Sequence, residues 1–333
     1  MNTIPENSKF AGLSMYGTGA SLDFPDTLSF PGGLIVTKTL PFEVTPWWRE
    51  QLGRLICDEL ENSDLFLLAV APSTKLSVLD QENLLLEDRC RNLFYGLLLS
   101  TAMSSELAPQ MVTGSMESGK ATFRQIGRFE QPRSIAGTPA PDLDQGIVEE
   151  AASYAAQIET ITNQQGRFGR AVWALNCFLN SVTSSHVYER VRNSVRTIEA
   201  FLLPSIGKTE RQFKFRTELF VGPKEHPLVE TIYSIRSRIE HLHDPLSMLP
   251  GSSINERHIA LFEISTIAEA IARHCLQRFL NRRQLLPHFE NDSNIESFWK
   301  LPSTERRQLW GDPVDVASVR KSFDRTVAQA VIA

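Results

Sequence analysis

Beyond residue 147 every apolar pattern in the chain is helical. Ile147, Ala151, Ala155, Ile158 and Ile161 return at spacings of three and four, which places them on one side of a helix. The stretches 168–182, 186–203, 209–220, 227–243 and 255–283 repeat that signature, with Pro204, Gly222-Pro223 and Pro245 as stops. A last helix is expected over 314–331, after a polar segment holding Trp299 and Trp310. Successive helices joined by short loops favour an antiparallel bundle, in which each apolar stripe is buried against the others.

The first part reads differently. Residues 1–44 are rich in Gly, Pro, Ser and Phe, with short strands expected at 34–37 and 41–44 around a PGG turn at 31–33. Thr45 and Pro46 suit the N-cap and first position of a helix carrying Leu52, Leu55, Ile56 and Leu60. LFLLAVA at 65–71 predicts a buried strand, 79–103 a long apolar helix, and 110–129 strands and turns. Residues 133–145 are rich in Pro, Ala and Gly and read as a linker. The fold class is therefore α+β, with a mixed region over 1–140, a helical bundle over 145–290 and a helical tail over 291–333.

A length of 333 residues suits two domains. A net charge of −5 does not announce a nucleic-acid binder, although Arg and Lys concentrate between Arg167 and Arg283. Cys57, Cys90, Cys177 and Cys275 are scattered without a CxxC, as expected of small core residues in a reducing compartment. There is no apolar run of membrane-spanning length and no secretory leader pattern, so a cytoplasmic protein with no membrane partner is expected.

The densest chemistry lies in 231–245, TIYSIRSRIEHLHDP. Apolar residues at 228, 232, 235, 239 and 242 define a stripe, and Arg236, Ser237, Arg238, Glu240, His241 and His243 lie beside it. On a regular helix Arg236, Glu240 and His243 fall within about 60° of one another, and His241 about 140° from Arg236. Read from the residues alone, this is a cationic helix end favoured by the helix dipole, with an Arg236–Glu240 ion pair. Two histidines two positions apart do not share a helix face, and no further His/Cys/Asp cluster accompanies them; no metal and no cofactor are expected.

The segment also resembles the R-x4-6-H motif of HEPN domains, and within them the Apea-like proteins of bacterial defence systems. The resemblance rests on Arg236-Ser237 followed by His241, with Tyr233 three residues ahead of Arg236, and on 187–201 (VYERVRNSVRTIEAF), which is similar to an Apea-like helix whose glutamate would be Glu199. It covers roughly 165–290. Leu242 stands where that family usually has glycine. The spacing also admits His243, so both histidines are candidates, with His241 favoured by the family register.

The resemblance implies a metal-independent endoribonuclease in phage defence or toxin-like growth arrest. Histidine titrates near neutrality and can move the proton of a ribose 2′-OH; arginine clamps phosphate and stays charged. His241 would take the first role and Arg236 the second, with Ser237 and Glu240 in support. RNA would be the partner, two protomers would join through the bundle, and a partner protein or antitoxin would hold the activity in check. The alternative is a non-catalytic scaffold for dimerisation, RNA binding or partner binding.

Arg211, Lys214, Arg216 and Arg238 are candidate RNA contacts, the first three interleaved with Phe213 and Phe215. The phenylalanines read better as core. Trp47-Trp48 reads as packing or as an exposed platform. Two phosphate-loop lookalikes are rejected. The segment 114–121 has G-x4-G-K spacing but no Ser/Thr after Lys120 and an acidic Glu117; Gly207-Lys208-Thr209 has Leu202 where the first glycine belongs.

Overall fold

A strand that the sequence disguises sits at the centre of the first unit. β1 (Ser8–Met15) is buried along all eight residues. The chain then runs through β2 (Ser21–Asp23), β3 (Thr27–Phe30), β4 (Leu34–Thr37), α1 (Pro46–Leu52), α2 (Arg54–Glu61), β5 (Leu65–Pro72), α3 (Gln81–Ser100), β6 (Gln110–Glu117), β7 (Lys120–Arg128), β8 (Asp142–Asp144) and α4 (Gln145–Asn163). The computed structural model describes residues 3–205, 207 and 209–332. Its 59% helix and 14% strand, with the antiparallel sheet ahead of the helical region, make the fold α+β.

The main sheet has the order β3-β4-β5-β1-β6-β7 with antiparallel neighbours, and Ala11 of β1 faces Ala69 of β5 on one side and Thr113 of β6 on the other. The run at 65–71 is apolar throughout because β5 is an interior strand covered on both faces. One face packs on α1 and α2 through Phe10, Phe42, Trp48, Cys57 and Leu60. The other carries α3, whose Cys90 thiol donates to the Leu67 carbonyl at 3.3 Å. α3 starts on a capping box at Asp80. Gly96 lets α4 approach α3 closely: a Cβ there would fall 2.1 Å from the Ala151 carbonyl oxygen.

Several expectations change here. Residues 41–44 form no strand, and the helix after Thr45 breaks at Gly53 (φ 83) into α1 and α2. The segment 114–121, by contrast, is a β-hairpin within the strands and turns expected over 110–129, with Glu117 opposite Lys120 and Ser118 and Gly119 both left-handed. The expected linker at 133–145 is not a free tether. β8 pairs in parallel with β2 and buries Leu143, while Gly137 lies under the Phe323 ring and accepts the Asp324 N–H at 2.8 Å.

The boundaries of the compact units differ accordingly from 1–140, 145–290 and 291–333. The first unit comprises residues up to Arg133 plus Ala140–Glu159; the second comprises Ser134–Pro139 and everything from Thr160. Most of α4 therefore belongs with the sheet, and the tail belongs with the bundle.

The second unit contains α5 (Gln165–Thr183), α6 (Val187–Leu202), α7 (Thr209–Val221), α8 (His226–Glu240), α9 (Ile254–Asn281), α10 (Asp292–Lys300), α11 (Ser303–Trp310), α12 (Val316–Ser322) and α13 (Arg325–Ile332). Phe201 of α6 meets Phe279, Phe289 and Trp310 in one aromatic cluster, so residues beyond 291 complete the core. Trp299 donates its indole N–H to the Phe201 carbonyl at 3.0 Å. Both tryptophans of the supposedly polar tail are thus buried, and the helix expected over 314–331 is two, separated at Phe323-Asp324. Arg190 of α6 pairs with Glu269 of α9 at 2.6 Å, and Arg273 adds a second contact at 3.0 Å. Among the described residues no helix is long and apolar enough to cross a membrane.

Candidate functional site at the α6–α8 seam

α8 buries Val229, Ile232 and Ile235, so the expected stripe holds in its middle. It ends at Glu240, three residues before the expected end. His241 is the C-cap, Leu242 turns left-handed (φ 57), and His243 follows outside the helix. The Leu242 N–H donates to the Ile239 carbonyl at 3.2 Å and the His243 N–H to the Arg238 carbonyl at 2.8 Å. This pair of bonds is a Schellman ending, which normally places glycine at the left-handed residue. Leu242 is therefore no part of the buried stripe; it is 94% exposed. A helical wheel does not bring His243 closer to Arg236 than His241, because neither histidine lies within the helix proper. Both rings are exposed, with centroids 6.5 Å apart, and neither makes a side-chain hydrogen bond among the described residues.

Arg236 faces α6. Its Nη2 donates to Glu199 Oε2 at 3.1 Å, and its Nε lies 4.0 Å from Glu240 Oε1. Glu240 in turn accepts from Arg196 at 2.8 Å. Four side chains from two helices thus form a chain of alternating charge: Glu199, Arg236, Glu240, Arg196. Burial pushes the Glu199 carboxyl above its usual range, although Arg236 and Arg196 pull it down. Glu199 Oε1, Arg236 Nε and Arg192 Nε are buried and have no hydrogen-bond partner among the described residues. An unpartnered carboxylate oxygen and guanidinium nitrogen, both buried on the Glu199–Arg236 seam, favour a bound water there.

Arg192 and Arg196 were not among the expected site residues, and Glu199 entered only through the resemblance. A signal was present in the sequence. Positions 192, 196 and 199 follow the i, i+4, i+7 rule and form one charged stripe on α6.

The expected RNA contacts separate into two kinds. Arg211 is exposed, 6.0 Å over the Phe215 ring, and Lys214 pairs with Glu230 at 2.5 Å. Arg216 is committed to the protein: it donates to the last carbonyls of α6, at 3.0 Å for Leu203, and lies over Trp299. Burial lowers its pKa from the ordinary arginine value. Arg238 holds the loop after α8 through Asp244 O at 3.2 Å and Ser247 Oγ at 3.3 Å. Ser237 lies half-buried beside this cluster and accepts the His241 N–H on its carbonyl at 3.1 Å. Phe213 is buried as expected, whereas Phe215 is exposed. Trp48 is buried and donates to Ala121 O at 3.1 Å, while Trp47 is half exposed against Phe123. Lys208 of the rejected GKT lies outside the described residues.

No protein-family model, no curated protein and no solved structure matches the chain.

Proposed function

We propose that the chain is a metal-independent endoribonuclease of HEPN type, working at the α6–α8 seam. The observation that carries this reading is the Arg236–Glu199 pair at 3.1 Å, which brings together the two stretches on which the resemblance rests. Arg236 clamps the scissile phosphate. His241 takes the proton of the ribose 2′-OH; the 2′-oxygen then bonds to phosphorus, the bond to the 5′-oxygen breaks, and that oxygen is protonated as it leaves. Two protomers joined through the helical bundle would present two such motifs to one RNA. The biological setting is phage defence or toxin-like growth arrest, with a partner protein restraining the activity.

The test is digestion of total cellular RNA in EDTA by wild type, Arg236→Ala, His241→Ala and His243→Ala. Cleavage lost in the first two variants and kept in the third supports the assignment. Loss only in His243→Ala moves the chemistry to that histidine. RNA left intact by wild type, with no toxicity on expression, rejects the nuclease.

A second reading has its own observation. Arg236 already has Glu199 and Glu240 as counter-charges, which is the arrangement of a helix-joining ion network. In that reading the bundle is a non-catalytic scaffold that dimerises or binds RNA without cutting it.

A further inference from the structure

The first unit contains a cavity that the ribonuclease reading leaves unused. It opens between the turn joining β3 to β4 and the helices α3 and α4, with a volume of about 450 Å³. Small-molecule sites have volumes of roughly 300–1,000 Å³, apolar walls and a few placed polar groups. Here Phe30, Pro31 and Leu34 make one wall, and Ala152 and Ala155 of α4 make another. The alanines leave room that larger side chains would fill. The turn opposite is held against β5: Gly33 has φ +75, and a Cβ on it would fall 2.0 Å from the Val70 carbonyl oxygen.

Asn92 of α3 indicates what the cavity takes. It lines the space, is only 9% exposed, and its carboxamide makes no hydrogen bond among the described residues. Its amide nitrogen and oxygen still reach the solvent in the cavity, so both are open to a ligand that enters it. The amide offers one donor and one acceptor side by side, and a nucleobase edge offers their complement. The charged groups at the cavity set a second condition. Glu149 and Glu159 outnumber Arg89, which is already 3.4 Å from Glu159. Two carboxylates accept sugar hydroxyls and repel a polyphosphate.

We propose that this cavity binds a nucleoside. Asn92 reads the base edge, Phe30 packs against the ring, and Glu149 and Glu159 take the ribose hydroxyls.

The test is calorimetric titration of the full chain with adenosine, guanosine, cytidine and uridine, and with the triphosphate of whichever binds. One nucleoside is expected to saturate a single site, with its triphosphate binding more weakly. Asn92→Leu should weaken binding at least about tenfold, the loss expected when a site built for hydrogen bonding is left unpaired. Ser153→Trp, at an exposed position on the cavity wall, should abolish binding with the melting temperature unchanged, which covers the case in which Asn92→Leu misfolds. Arg236→Ala should leave binding intact, separating this site from the RNA seam. The proposal is overturned if no nucleoside saturates, if Ser153→Trp binds as wild type does, or if the triphosphate binds more tightly.

Discussion

Arg236 and Glu199 are 37 positions apart in the chain and 3.1 Å apart in space, and their contact fastens α8 to α6. The glutamate both positions the guanidinium and cancels part of its charge. Replacing it with glutamine removes the cancellation and keeps the shape. Glu199→Gln should therefore bind RNA several-fold more tightly, with a salt dependence steeper by about one released ion. Anisotropy titrations across a salt series measure both. Because burial raises the Glu199 carboxyl above the ordinary range, acidification neutralises it early. Wild-type RNA affinity should rise as pH falls through that raised value, and the glutamine variant should lack this component.

Leu242 adopts a backbone conformation that costs an L-residue roughly 1–2 kcal/mol, and its side chain is 94% exposed. Leu242→Gly should stabilise the protein by about 1 kcal/mol. Urea denaturation would register this as a higher midpoint with an unchanged slope.

Glu269 is a buried carboxylate shared by two arginines. Burial alone would raise its pKa, but Arg190 and Arg273 outweigh burial and hold it below the usual range. Glu269→Gln removes the one carboxylate charge that faces both buried guanidinium groups and should cost about 3–5 kcal/mol. Arg190→Met leaves the carboxylate paired with Arg273 and should cost less. Chemical denaturation of the two variants gives the order directly.

His274 is held neutral. Burial, with Arg278 and Arg282 nearby, depresses its pKa to about 4. A basic group depressed on folding binds fewer protons folded than unfolded between its two pKa values. Stability should thus fall as pH drops from about 6.5 to about 4, by roughly 3 kcal/mol for this group. Melting curves of His274→Gln over that range should be flatter than those of wild type.

What could be read in advance follows from how local each feature is. The helices α5 to α9 were legible because each buries one periodic stripe. β5 was legible because an interior strand is apolar on both sides. β1 was not, because SKFAGLSM has the composition of a loop. Lys9 is buried there only because Asp80, at 2.8 Å, and Glu82, at 3.3 Å, receive its ammonium group, and Gly12 fits against Leu68. Neither partner is near in sequence. At the seam, the motif helix was visible in the residues, but its early end was not. Leucine at a position where glycine normally stops a helix gave no stop signal, and only the backbone bonds around it reveal the turn.

The pairing of β1 also sets an order of events during synthesis. Ser8 faces Pro72 on one side and Met116 on the other, so the ribosome delivers this strand long before either neighbour. At roughly 5–20 residues per second, the strand waits for seconds with both edges open, a state that invites pairing with another chain. Lys9 carries its charge through that interval and loses its exposure only when Asp80 arrives. A lysine that is wholly concealed in the finished sheet is thus the gatekeeper of the nascent one.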